Sequence, residues 1–257
     1  MTIYFTADLH LGHEKVELER APLVRRSWRC APRRVGMRHD MVIFRNLCNL
    51  LTKRDQLWIL GDLSAGGSQA QRDALAVLAQ VRRETGAELH LIPGNHDGCH
   101  PQFRTAKKWW PEYLEVFDTI MPFASRKIAG QNVCLSHYPY YGDHTSEDRH
   151  PQWRLRDEGR WLLHGHTHQR EPFTVESIKR VACVDEACVE EIGYHEHWHT
   201  DRLAARIDEV VHLPFDDDMD ADVWRTRTIN VGLDAWELAP VSLETIAGLI
   251  TKLEGAE

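Results

Sequence analysis

The chain contains no apolar run that approaches bilayer-spanning length, and no basic-plus-apolar stretch opens it, so neither export nor membrane embedding is expected. It lacks an excess of basic charge. Its 31 Lys and Arg against 39 Asp and Glu give a formal net charge of -8, which argues against a general affinity for polyanionic nucleic acid. It has no Cys-x-x-Cys pair: six cysteines are scattered over 257 residues, the pattern of reduced thiols in a cytoplasm rather than of a disulfide framework. Nothing repeats at a fixed period. What remains is a globular chain, 42% hydrophobic, long enough for one α/β domain carrying insertions.

Five short apolar runs stand out because each ends in residues able to bind a metal. Ile3-Tyr4-Phe5 leads to Asp8 and His10, Leu57-Trp58-Ile59-Leu60 to Gly61-Asp62, and Leu89-His90-Leu91-Ile92 to Gly94-Asn95-His96-Asp97. Val133-Cys134-Leu135 leads to Ser136-His137, and Trp161-Leu162-Leu163 to His164-Gly165-His166-Thr167-His168. Runs of this length read as buried strands, and the carboxyl ends of such strands line the functional crevice of an open α/β sheet. One sheet edge is then expected to carry carboxylate, imidazole and carboxamide groups together, the composition of a two-metal hydrolytic centre.

Each fragment alone has a plainer meaning. In extended backbone Asp8 and His10 share a side and can reach one ion, yet Asp8 can equally cap the next helix. Asp62 can bridge two cations through its two oxygens, although Gly-Asp is also a common turn pair. Asn95 offers a neutral carbonyl oxygen, His96 points elsewhere and is free to act on substrate, and Asp97 is expected to orient that imidazole; the plain alternative is an Asx-type turn. His166 and His168 repeat the alternate-residue logic, and His137 adds one more imidazole. The order of all five endings on five strand ends carries the metal reading.

Around these endings, residues 2–7 read as a first strand and about 14–38 as an Arg- and Pro-rich insertion, mostly loop. A helix is expected over His39–Leu51, and another from an N-cap at Ser68 to Gly86. Tyr113–Ile120, Phe123–Ala129 and Val133–Ser136 read as successive strands of a second sheet, Ile229–Gly232 as a late strand, and Ser242 as the cap of a last helix. Residues of about 174–226 break this rhythm and read as a longer insertion, a lid or a dimer contact. Within it, Cys183, Cys188, His195, His197 and His199 are spaced too loosely for a zinc knuckle. Asp218-x-Asp220-x-Asp222 lacks the glycine and glutamate of a calcium loop, with Val223 and Ile229 in their places.

The order Asp8-x-His10, Gly61-Asp62, Gly94-Asn95-His96-Asp97, His137, Gly165-His166-Thr167-His168 resembles the calcineurin-like metallophosphoesterase superfamily, and wording such as FTADLHLGH, WILGDLSAGG, LIPGNHD and INVGLDAW is similar to its small bacterial and bacteriophage members. The resemblance implies an α/β fold with α+β-type layers, a two-sheet β-sandwich flanked by helices with a dinuclear site at the strand C-terminal edge. It implies one divalent ion on Asp8, His10, Asp62 and His168, and a second on Asp62, Asn95, His137 and His166. His96 then contacts phosphate or protonates the leaving group, supported by Asp97. Two cations about 4 Å apart share and acidify a water, and the hydroxide formed attacks phosphorus in line. Imidazole and oxygen donors without thiolate suit Mn²⁺ first, or Fe or Zn²⁺.

The expected substrates are phosphodiesters of small nucleotides, cyclic forms among them, in the cytoplasm of a bacterium or phage-infected cell. An exonuclease of the same superfamily and a non-catalytic scaffold are the rivals. Two further groups are candidates for substrate contact. His13 lies one turn beyond His10 and could face substrate or equally cap or pack locally, and Arg25 and Arg26 belong to a basic series (Arg20, Arg25, Arg26, Arg29, Arg33, Arg34, Arg38) that could clamp a phosphate or, the plainer reading, form a solvated loop balancing acidic neighbours.

Overall fold

The computed structural model describes residues 1–27, 38–143, 145, 149–172 and 227–254. The cysteine, histidine and aspartate patterns of the longer insertion, and Arg29, Arg33 and Arg34, lie outside them.

Strands β1 (Ile3–Thr6), β2 (Gln56–Ile59), β3 (Glu88–Leu91) and β4 (Thr119–Ile120) run parallel in the order β4-β3-β2-β1, and β9 (Val241–Ser242) closes the β1 edge antiparallel. A second sheet has the order β5 (Ala124–Ile128), β6 (Gln131–Leu135), β7 (Leu162–His164), β8 (Thr228–Asn230), antiparallel only at its β5–β6 hairpin. The first sheet is buried on both faces, and its runs divide by the period of two. Leu57 and Ile59 point into a core shared with Leu47, Leu75 and Leu78 of the helices. Trp58 and Leu60 point the other way, into a core shared with Val133, Leu135, Leu163 and Ile229 of the second sheet. This is the expected two-sheet sandwich with helices on its flanks.

Helices α3 (His39–Leu50) and α4 (Ser68–Thr85) follow their sequence patterns, α4 burying Ala74, Leu75, Leu78 and Val81 and ending at Gly86 in the left-handed region. The cap of α4 is Gly67, one residue before the expected Ser68. Ser242 does cap the last helix, α6 (Leu243–Glu254), its Oγ accepting from the Thr245 N–H at 3.1 Å.

Two further expectations fail. Residues 14–27 are two helices rather than loop, α1 (Glu14–Glu19) and α2 (Ala21–Ser27). Val16, Leu23 and Val24 are buried at helical spacing, but the position completing their stripe is Arg20, also wholly buried. A charged residue in an apolar stripe hides the period. Tyr113 belongs to helix α5 (Ala106–Leu114) rather than to a strand, and only Thr119–Ile120 extends, pairing with β3 in the first sheet. The Tyr113 hydroxyl donates to Gln71 Oε1 at 2.7 Å, which turns that side chain toward α4 and away from a second-sheet face.

Candidate metal centre

The five motif endings meet between the two sheets. Asp8 and His10 follow β1, Asp62 follows β2, and Asn95 and His96 follow β3; His137 follows β6, and His166 and His168 follow β7. The site therefore draws on both sheets, where the apolar runs alone suggested one edge of one sheet.

Its local geometry also departs from alternate residues on extended backbone. Asp8, His10, Asp62, His166 and His168 all have positive φ, between 46° and 72°. Side-chain-bearing residues reach this region at a cost of about 1–3 kcal/mol each, and such strain gathers where the surroundings impose it and function uses it. The turns are held by backbone bonds across strands, Asp8 N–H to Gly61 O and His10 N–H to Asp62 O, both at 3.0 Å. Two glycines make the approach feasible. A Cβ on Gly61 would stand 2.6 Å from His137 Nδ1, and one on Gly165 would stand 2.8 Å from Asp8 Oδ2.

Two clusters result, Asp8 with His10 and His168, and Asp62 with His137 and His166, the ligand-type atoms of each lying within 4.8 Å of one another. In the first, His10 Nε2 and His168 Nε2 face each other at 3.1 Å. In the second, His137 Nε2 stands 3.2 Å from His166 Nδ1 and 3.1 Å from Asn95 Oδ1. Asp62 lies between them, its Oδ2 at 3.8 Å from His10 Nε2 and 3.6 Å from His137 Nε2. Metal–nitrogen bonds of about 2.0–2.1 Å in tetrahedral geometry separate donor atoms by about 3.3 Å, so these spacings match donors around an ion.

The electrostatics fit as well. Burial pushes the Asp8 and Asp62 carboxyls up, against the opposing pull of His168 on Asp8 and of His96 on Asp62, and burial drives the His10 imidazole well down. Buried carboxylates packed beside imidazoles are costly without a cation and well satisfied with one. The residues present therefore fit divalent metal.

His96 is more open than His10, His137, His166 and His168, its side chain 39% exposed and its Nε2 4.0 Å from Asp62 Oδ2. Asp97 does not support it. The Asp97 carboxylate is wholly buried and accepts the backbone N–H groups of Asp62, Leu63 and Gly94 at 2.8–3.0 Å. Its acceptor capacity goes to tying the β2 and β3 turns together, and burial, with the Asp62 charge, raises it to about 6. His13 caps α1, its Nδ1 accepting from Val16 N–H at 3.5 Å, and its ring lies edge-on to His10 with centroids 5.5 Å apart.

Of the basic series, Arg20 is no clamp for substrate. Its guanidinium donates twice to Asp234 and to the carbonyls of Leu9 and Asp8, at 2.6–2.9 Å. Arg38 pairs with Glu17 and Asp40. Arg25 and Arg26 occupy the last turn of α2, Arg25 exposed and Arg26 half-buried. Sequence reasoning missed Asp234, 3.3 Å from His168 Nδ1, and Asp143, 3.2 Å from His166 Nε2. Asp234 had a faint signal, a carboxylate just past a late strand in INVGLDAW; Asp143 had none.

Among known proteins, the chain is similar to the Gene 66 proteins of Mycobacterium phages D29 and L5. It is 42% identical to the first over 173 residues (65% of this chain, 79% of that protein) and 40% identical to the second over 174 residues (64% and 76%). A crystal structure of AQ665 from Aquifex aeolicus, a protein of unknown function, shares the fold with a TM-score of 0.53 and 21% identity, covering 96% of this chain and 98% of that one. The family model for calcineurin-like phosphoesterases matches residues 1–170, a span that holds all five motif endings. By that match, the chain belongs to the calcineurin-like phosphoesterase family.

Proposed function

We propose that the protein is a dinuclear metal-dependent phosphodiesterase acting on small nucleotide diesters, cyclic forms included. The observation that carries the dinuclear reading is the place of Asp62, one carboxylate oxygen flanked by His10 of one cluster and His137 of the other. Asp8, His10, Asp62 and His168 would hold one ion, and Asp62, Asn95, His137 and His166 the second. Divalent ions bound there supply Lewis acidity toward phosphoryl oxygens and lower the pKa of water toward neutrality.

The chain's own residues do the rest. The attacking water gives one proton to solvent as its oxygen bonds to phosphorus and the opposite P–O ester bond breaks, and His96, the half-buried imidazole, gives a proton to the departing oxygen and regains one from solvent. Asp97 keeps the β2 and β3 turns in register so that Asp62 and Asn95 stay converged. No side chain needs to bond covalently to substrate. His13, beside His10, and Arg25 and Arg26 are the proposed contacts to the nucleotide phosphate.

The formal charge of -8 supports small substrates over long polyanions. Mn²⁺ suits the donor set, with Fe and Zn²⁺ as alternatives. The test is a panel on chelated protein reloaded with each ion: bis-p-nitrophenyl phosphate, p-nitrophenyl phosphate, 2′,3′-cyclic nucleotides and labelled duplex DNA. Metal-restored turnover of the diester and cyclic substrates is expected, and His96→Ala should cost about 10²–10⁴-fold while keeping the bound metal. Digestion of duplex alone would make the protein an exonuclease. Inactivity on every substrate with metal bound would leave a scaffold.

A further inference from the structure

Helix α4 buries Gln71 in the stripe that continues through Ala74, Leu75 and Leu78 at helical spacing. A buried amide in an apolar stripe is costly unless its oxygen and nitrogen both find partners. Two loops and a helix supply them. Gln71 Nε2 donates to the Gly66 carbonyl at 2.7 Å, and Gln71 Oε1 accepts the Gly98 N–H and the Tyr113 hydroxyl, each at 2.7 Å. A backbone carbonyl only accepts and a backbone N–H only donates, so these partners fix which end of the amide is oxygen.

Both loops bear on His96. Gly98 follows it by two residues, and Gly66, from the loop after β2, lies against it. A Cβ on Gly66 would stand 3.2 Å from His96 Nδ1 and 3.3 Å from the His96 carbonyl oxygen. Gly66 has a φ of 97°, which glycine adopts without strain, and Ser64 Oγ accepts its N–H at 3.1 Å. Gly98 is as confined, since a Cβ there would stand 2.5 Å from Trp109 Nε1 and 2.7 Å from Gln71 Oε1. Gln71 thus ties the backbone that backs the imidazole to the backbone that carries it. Asp97 braces the turn ahead of His96 through the Gly94 N–H, and Gln71 braces the turn behind it through the Gly98 N–H.

We propose that Gln71 is a positioning residue for the reaction, holding His96 where its imidazole meets the departing oxygen. This rests on the phosphodiesterase reading above, in which His96 supplies that proton. Gln71 acts through the two glycines, so its removal should cost most where the leaving oxygen needs a proton most.

The test compares two diesters on Mn²⁺-loaded protein: diphenyl phosphate, whose phenoxide leaves poorly without a proton, and bis-p-nitrophenyl phosphate, whose nitrophenoxide leaves readily. Gln71→Met should lower kcat on the first by about 10²-fold, the loss that a misplacement of about 1 Å gives. The loss on the second should be far smaller, with KM and Mn²⁺ stoichiometry unchanged on both. In a His96→Ala background the same substitution should add nothing, because it then has no acid to position. Equal losses on the two diesters, or the full loss repeated without His96, would mark a general defect of the fold and overturn the proposal.

A second variant and a metal-free measurement guard against misfolding. Gly66→Ala presses on the same imidazole from the other loop and should show the same selective loss; a loss shared by both diesters overturns the proposal. In metal-free protein the Gly98 N–H should exchange with deuterium about fivefold faster in Gln71→Met than in the wild type, the factor of one hydrogen bond's usual net contribution. Equal exchange rates overturn the proposal. Wild-type protein that turns over neither diester would remove the phosphodiesterase reading and this inference with it, whereas turnover of diphenyl phosphate that Gln71→Met leaves unchanged removes the inference alone.

Discussion

The two sheets contribute unequally to the centre. The ends of β1, β2 and β3 supply every oxygen donor of the proposed ligand set, Asp8, Asp62 and Asn95, with His10 as their one imidazole in it and His96 beside them. The ends of β6 and β7 supply imidazoles alone, His137, His166 and His168. In the proposed centre, charge to hold an ion would come from one layer and the closing nitrogen ligands from the other, so these groups converge only when the sandwich is shut. The supports differ as well. The first sheet's turns are tied to each other through Asp97, whereas the second sheet's ligands reach across, His137 Nδ1 to Leu60 O at 2.7 Å and the His166 N–H to both oxygens of Asp8 at 3.0 Å.

The sharpest way to break this comparison is to remove one ligand from each sheet. Asp62→Ala, on the first sheet, should abolish binding of both ions and lower diester turnover by at least about three orders of magnitude, the several kcal/mol that metal ions contribute to such reactions. His166→Ala, on the second, should cost one ion only. Mn²⁺ stoichiometry beside turnover decides between them, and loss of a single ion from the Asp62 variant would contradict the bridging role.

Arg20→Met addresses the joint between the layers. The guanidinium is wholly buried, and its removal takes away the permanent charge facing Asp234 and leaves it His168; breaking a buried pair costs about 3–5 kcal/mol. Urea unfolding of metal-free protein should show that drop; a change within about 0.5 kcal/mol, as surface substitutions give, would mean the pair does not join the sheets.

Chelation tests the closure more gently. A ligand present at about 100 times its dissociation constant stabilises the fold by about 2.7 kcal/mol, so stripping Mn²⁺ should lower the melting temperature of the wild type and leave that of Asp62→Ala unmoved. Equal shifts in both would place the metal's effect elsewhere.

The smallest effect belongs to the opposite end of the first sheet's strands, away from the proposed metal centre. Asp55 accepts from Thr2 N–H, Thr52 N–H and Thr52 Oγ1–H at 2.7–3.0 Å, anchoring the entry to β1 and β2. The Thr52 hydroxyl bond, with the two backbone donors, holds its carboxyl below the usual range. A depressed folded-state pKa gives stability that is present above the unfolded value of about 3.9 and is lost as pH falls through the folded one. Asp55→Ala should therefore cost about 1 kcal/mol near pH 7 and progressively less below about pH 4, seen by urea unfolding at stepped pH, with metal binding unchanged.

The strands leading to the centre and the ligand types they carry were legible because apolar runs, glycines and polar endings are local patterns. Helices α3 and α4 were legible for the same reason, their buried residues recurring at 3.6. Where a tertiary partner overrode the local rule, reading failed. Arg20 is buried because Asp234, more than two hundred residues away, neutralises it, so α1 and α2 passed for loop. Asp97 turned from His96 to three backbone N–H groups that only the meeting of β2 and β3 creates.

The sequence by itself determined which side chains stand at the strand ends, since period and turn chemistry act within a few residues. It could not determine that their backbones turn left-handed, that an arginine-held carboxylate stands behind His168, or that two sheets share one centre. Those depend on contacts between segments far apart in the chain, and only the closed sandwich brings such segments within hydrogen-bonding distance.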